Sequence, residues 1–195
     1  MKKIVLFIFT LTIFLGVAAQ SSKDTSLEKR LDTYMLLNRE ARFNELMDFV
    51  HPRLFQLAPR EQMMELFRKT YDNEYMKLSI DTTAITNISP VFNVNDTAYR
   101  RIDYWMGFTV AFKDSETVNA PDFVSKTTDL LKVGFPNSQI KYNNATKSFR
   151  LGSSNILIAV RDNDKSPWMF LGHSKNEAFL KTLFPSSVIE YFKLL

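Results

Sequence analysis

"TAYRRIDYWMGFTVAF", residues 97–112, sustains the longest apolar–polar alternation in the chain. Ile102, Tyr104, Met106, Phe108, Val110 and Phe112 fall on one side; Arg101, Asp103, Trp105, Gly107, Thr109 and Ala111 fall on the other. Successive side chains of a strand point to opposite faces, so this register predicts one long strand with a buried face. Gly107 marks a place where that strand can curl over a core. Trp105 lies on the opposite face among small residues, a setting that suits a packed partner, either a covering helix or a second copy.

Further strands are legible on both sides. In "YMKLSIDTTAITNIS", residues 75–89, Met76, Leu78 and Ile80 alternate, and then Ala84, Ile85 and Ile88 break the pattern, which predicts a bulge or bend. "NVND", residues 93–96, reads as a turn. Downstream, "QIKY" and "KSFRL" flank the turn "NNAT", and "NILIAV" and "WMFL" form a hairpin about "DNDKS". The last two strands are apolar on both faces, so the centre of the sheet should be covered on both sides.

Helices precede the sheet. Thr25 and Glu28 fit a capping box, followed by Leu27, Leu31, Tyr34 and Met35 at helical spacing. "NREARFNELMDFVHP" predicts a second helix with Phe43, Leu46, Met47 and Val50 on one stripe, ended by Pro52. Pro59 opens a third, with Met63, Leu66, Phe67 and Thr70 inward. An inserted helix is expected at about 121–133, with Phe123, Thr127, Leu130 and Leu131 on its stripe, and a short helix through Phe179, Leu180 and Leu183 closes the chain with a further turn after Pro185. The fold class is α+β: N-terminal helices packed in a strongly curved antiparallel sheet.

Residues 1–19 read as a signal peptide. Lys2 and Lys3 precede an apolar run, and Val17-Ala18-Ala19 ends it with the small side chains a signal peptidase accepts. The competing reading is an uncleaved anchor. Cleavage after Ala19 leaves 176 residues, enough for one domain spanning 20–195, and lowers the net charge from +4 to +2. So small a charge gives little support to a nucleic-acid partner. With no cysteine, the fold must rest on its core rather than on disulfides. No later stretch is long and apolar enough to span a bilayer. The expectation is an exported protein, periplasmic or secreted, with a leader of bacterial type.

Helices first, then a long bent sheet with "TAYRRIDYWMGFTVAF" central and "PWMFLG" closing, resembles the nuclear-transport-factor-2-like superfamily. That resemblance covers the layout of residues 26–173 and implies a cone-shaped sheet wrapped around helices. Its relatives include ketosteroid isomerase, scytalone dehydratase, polyketide cyclases and many non-catalytic binding domains. The helix between 114 and 136 and the tail after Gly172 depart from the usual layout. A fold this versatile implies no particular reaction.

The residues weighed for function are few. His51 and His173 are the only histidines, and without cysteine they make no metal-ligand spacing. His51 can cap a helix end or serve as a base, while His173 reads as exposed. Asp103 and Tyr104 are strand neighbours, so only Tyr104 can face the cone. Asp162 and Asp164 lack the glycine and glutamate of a calcium loop. The first expectation is therefore a non-catalytic domain that binds a small apolar ligand or an envelope partner, with Tyr34, His51, Tyr104, Met106 and Trp168 as pocket candidates. An enzyme working by proton transfer from His51 or a buried carboxylate, and an assembly module or homodimer using Trp105, stand as alternatives. No cofactor or metal is called for.

Overall fold

The computed structural model describes residues 24–136 and 138–195; the signal peptide read in residues 1–19, with its cleavage point, lies outside them. Helix α1 spans Thr25–Arg39 and buries Leu27, Leu31, Met35 and Leu37. Its N-cap is Asp24, whose carboxylate accepts from the backbone N–H groups of Ser26 and Leu27. The cap thus sits one residue before the Thr25 of the expected capping box, because an ionised oxygen satisfies the free amides better than a hydroxyl.

The expected second helix is shorter than its pattern. Ala41 takes a left-handed φ of 54°, α2 covers only Phe43–Leu46, and 3-10 turns follow at Met47–Phe49 and Pro52–Gln56. Phe43, Leu46, Met47 and Val50 are nonetheless all buried. Helix α3, Arg60–Tyr71, starts after Pro59 as expected, but its inner face is rotated. Met63, Met64, Phe67 and Tyr71 pack against the core, while Leu66 and Thr70 face solvent.

Six antiparallel strands form a curled half-barrel. They are β1 (Met76–Ile88), β2 (Phe92–Val94), β3 (Thr97–Phe112), β4 (Lys141–Asn143), β5 (Ser148–Arg161) and β6 (Met169–Gly172). The path β1-β3-β5-β4 is extended by β2 on β3 and by β6 on β5. The alternation break in β1 becomes two register shifts against β3, one between Ile80 and Thr82 and one between Ile85 and Asn87. Strand β5 is a single 14-residue strand where the sequence suggested two. Its Gly152-Ser153-Ser154 centre pairs fully with β3, so the ladder continues although the apolar pattern lapses.

Helices cover the two faces at different places. On the inner face, α1 packs Leu27, Leu31 and Met35 against Ile102, Leu157, Ala159, Trp168 and Phe170. At the other end of that face, α4 (Ser115–Asn119) and α5 (Phe123–Gly134) form the insertion, and Phe123 packs against Phe108, Val110, Phe149 and Leu151. Of the expected α5 stripe, Leu130 is 72% exposed. Among the described residues the outer face is covered only at the α1 end, where α6 (Glu177–Leu183) and α7 (Ser186–Tyr191) meet Tyr99, Ile158, Val160 and Leu171. Coverage on both sides is what "NILIAV" and "WMFL" required: burying one such side chain stabilises by roughly 1.5–3 kcal/mol. No helix among the described residues is long and apolar enough to cross a membrane.

Candidate functional site

Between its two helical covers the inner face has a less protected band. Register places Thr83 and Ile85 of β1, Tyr104 and Met106 of β3, and Ser153 and Asn155 of β5 side by side on it. Ile85 is exposed and the other five are half-buried. The Asn155 amide donates to the Ser153 carbonyl and hydroxyl at 3.0 Å each, which fixes the polar edge of the band.

Three tyrosines gather over this band. Tyr34 arrives from α1, its ring 4.8 Å from that of Phe170, and Tyr71 arrives from the end of α3, its ring edge-on to Phe43 at 4.9 Å. Burial pushes the Tyr104 phenol up to about 12. Burial also raises Tyr34 and Tyr71; Tyr104 adds to both shifts, and Tyr71 adds to that of Tyr34. All three therefore remain neutral hydrogen-bonding groups through the physiological range. Tyr71 donates to Asn38 Oδ1 at 2.7 Å. The hydroxyls of Tyr34 and Tyr104 have no hydrogen-bond partner among the described residues, and neither is completely sealed from solvent. Beside Tyr71 a hollow of about 480 Å³ opens between α2, α3 and β1, with Phe43 and Leu78 on its apolar side and Arg42, Arg68 and Lys77 at its rim.

The other candidates sit elsewhere. Met106 lies on the band and packs against the Phe108–Phe149 cluster. Trp168 is 1% exposed under α1, where its indole N–H donates to Asp24 Oδ2 at 2.9 Å, so it belongs to the core rather than to the open band. Trp105 is on the outer face, as the alternation required, and α5 packs on the opposite face rather than over it. Tyr71 was missed in sequence because the α3 stripe was set through Thr70; its spacing of four from Phe67 is the signal that would have found it.

His51 is buried at 3% exposure. Its Nδ1 accepts from the Arg53 backbone N–H at 3.3 Å, so Nε2 carries the proton and faces the Asp162 carboxylate at 3.2–3.3 Å. Arg53 also reaches Asp162 at 3.6 Å and donates to the Tyr99 hydroxyl at 3.0 Å. Histidine, aspartate and arginine thus tie the 3-10 turn to the β5–β6 hairpin and the outer face. Asp164 pairs with Arg161, which leaves the "DNDKS" carboxylates as structural groups. His173 is half-buried rather than exposed, with Nε2 2.7 Å from the Leu194 carbonyl. Among the described residues no group of three or more metal-ligating side chains is assembled.

Burial holds the His51 pKa below its ordinary 6.5; Arg53 also lowers it, and Asp162 opposes both. The unfolded chain therefore takes up this proton first as the pH falls. The stabilisation is complete above about pH 6.5 and is lost as the pH drops through 6.5 toward the folded value. Urea midpoints recorded between pH 7 and 5 should decline, and His51→Gln should flatten that decline. An equal slope in the variant would assign the effect to other groups.

A scan against protein-family models and a search of curated proteins gave no match for this chain.

Proposed function

We propose that this chain is a non-catalytic binding domain with a nuclear-transport-factor-2-like cone, exported by its N-terminal segment, and that it holds a small, largely apolar ligand over the band of Tyr104 and Met106. The observation that carries this reading is the pair of hydroxyls, Tyr34 and Tyr104, that have no hydrogen-bond partner among the described residues and lie on a half-buried stretch of an otherwise packed inner face. An apolar floor with two or three convergent polar groups is the usual make-up of a small-molecule site. The curled half-barrel sheet, with α1 packed on its inner face, supports the likeness to that superfamily.

A binder is favoured over a proton-transfer enzyme by what surrounds the tyrosines. Among the described residues no carboxylate or imidazole hydrogen-bonds to Tyr34, Tyr71 or Tyr104, and the Tyr71 hydroxyl is taken by the Asn38 side chain. His51, the base considered first, is occupied with Asp162 and Arg53. General acid–base catalysis requires such a group within hydrogen-bond reach of the reacting atom.

Native mass spectrometry of the exported protein should show a reproducible extra mass, and the environment-sensitive dye 1-anilinonaphthalene-8-sulfonate should bind with displacement by that ligand. Met106→Trp fills the band and should lower dye affinity by roughly tenfold or more, equivalent to about 1.4 kcal/mol, with the thermal midpoint little changed. Tyr104→Phe should weaken the natural ligand by several fold through the lost hydrogen bond. Unchanged dye binding in Met106→Trp would place the ligand elsewhere.

A further inference from the structure

Beyond the end covered by α6 and α7, no helix among the described residues lies over the outer sheet face, and the exposed Trp105 stands on it. The indole lies across Gly107 and Gly152, which are direct partners on β3 and β5. A Cβ on Gly107 would come 2.5 Å from Trp105 Cη2, and one on Gly152 would come 2.3 Å from Cζ2. A side chain at either position would displace the ring: together the two glycines are the bed on which it rests. One ring face is held by backbone and the other meets solvent, with the residue 40% exposed.

Hollows adjoin the ring on two sides and merge along β5. One, of about 490 Å³, is lined by Trp105, Gln139, Lys141 and Arg150. It continues past Lys141 and Arg150 into another of about 580 Å³ beside Asp81 and Thr109. A third, of about 360 Å³, runs from Trp105 past Phe135, Pro136 and Ser138 to Ser154 and Lys175. From Arg150 to Ser154 the strand covers about 13 Å. The trough is basic: Asp81 is its one carboxylate among the described residues, and it is held by Arg150 at 3.3 Å and by the Thr109 hydroxyl at 2.8 Å. Lys141 and Lys175 have no ion-pair partner among the described residues, and the Trp105 indole N–H and the Gln139 amide have no hydrogen-bond partner among them.

We propose that this trough binds an acidic oligosaccharide, with one sugar ring stacked on the free face of Trp105 and its carboxylates directed to Lys141 and Lys175. A pyranose presents a face of C–H groups to the electron-rich indole, and its hydroxyls lie at the rim, where amide and hydroxyl side chains can meet them. Protein docking fits less well, since Thr82, Ala84, Thr109 and Ser154 around the ring are small or polar and the apolar neighbours Phe135 and Pro136 lie at one end only. Single-stranded nucleic acid calls for successive free stacking rings. Trp105 is the exposed ring of this trough, whereas Phe135 and Tyr142 at its ends are half-buried and packed on Phe108 and on Phe123 and Phe149, respectively.

The test is calorimetry of the whole exported protein with hexagalacturonate, maltohexaose and an oligothymidylate at two salt concentrations. Hexagalacturonate should bind more tightly than the neutral sugar and the oligonucleotide. Trp105→Ala should weaken it roughly tenfold, and Trp105→Tyr should recover most of the loss. The emission of Trp168, the second of the two tryptophans, reports whether the core is intact in Trp105→Ala. The double variant Lys141→Ala with Lys175→Ala, at exposed side chains, should cut affinity several fold and reduce its salt dependence. Failure of the wild type to bind hexagalacturonate, equal affinity in Trp105→Ala, or tighter binding of oligothymidylate would each overturn the assignment. So would a dimer that Trp105→Ala dissociates without any sugar binding.

Discussion

Trp168→Ala is expected to cost about 3–5 kcal/mol, the range for deleting a large buried aromatic. Trp168 is 1% exposed among Leu27, Leu31, Ile102 and Phe170, so the cavity would open directly beneath α1. Two polar connections go with it. Asp24 loses the indole N–H at 2.9 Å, weakening the carboxylate that caps α1. Arg161 loses the ring that lies 4.7 Å from its guanidinium, and its Nε is already buried without a hydrogen-bond partner among the described residues. At roughly 2–4 °C per kcal/mol for a chain of this size, the thermal midpoint should fall by about 6–20 °C. Trp168→Phe, which keeps the ring and loses the N–H, should lose about half as much. A fall of less than about 3 °C for the alanine variant would mean that α1 is not held by this side chain.

Phe149→Ala should be comparably costly, at about 3–5 kcal/mol, but different in kind. Phe149 is fully buried at the other end of the inner face, with its ring 4.8 Å from Tyr142, 5.7 Å from Phe123 and 6.0 Å from Phe112. It is the floor on which α5 rests. Helix α5 buries only Phe123 and exposes Leu130 and Val133, so few contacts remain to hold it once that floor is gone. Hydrogen exchange should therefore accelerate first across residues 115–135, ahead of the α1 end of the sheet. Uniform loss of protection in both regions would show that the insertion and the sheet unfold as one unit. Double-mutant analysis with Trp168→Ala should give near-additive losses, because the two residues belong to separate clusters.

The two faces of β3 show how much was legible. Ile102, Tyr104, Met106, Phe108, Val110 and Phe112 were assigned inward from alternation alone, and the structure agrees. A period of two survives any tertiary context in which one face is buried, since a one-residue slip would expose the whole set. The bulges of β1 were visible for the same reason, as a lapse in that period. Double-sided apolar runs in β5 and β6 likewise announced covers on both faces. Helix stripes were less secure. Leu66 and Leu130 were assigned inward and are exposed, because a three- or four-residue spacing leaves a rotation of one position undetermined on a half-covered helix.

The candidate site divides in the same way. Tyr34, Tyr104 and Met106 were found because they lie on apolar stripes, whereas Ser153 and Asn155 carry no apolar signal and were reached only through their register with β3. His51 was expected at the end of the preceding helix, whereas it accepts from the Arg53 N–H as the N-cap of the following 3-10 turn, and its Asp162 partner is 111 residues away.

By itself, the sequence determined the class of the fold, the long central strand, the faces of its side chains and the order of helices around it, since these follow from periodicity and local steric preference. Tertiary structure alone decided that the insertion covers the inner face and leaves Trp105 open. It also decided that Gly107 and Gly152, 45 positions apart, form one bed for that indole. Contacts of that kind depend on which strands become neighbours, and strand pairing is a property of the folded chain rather than of any segment in it.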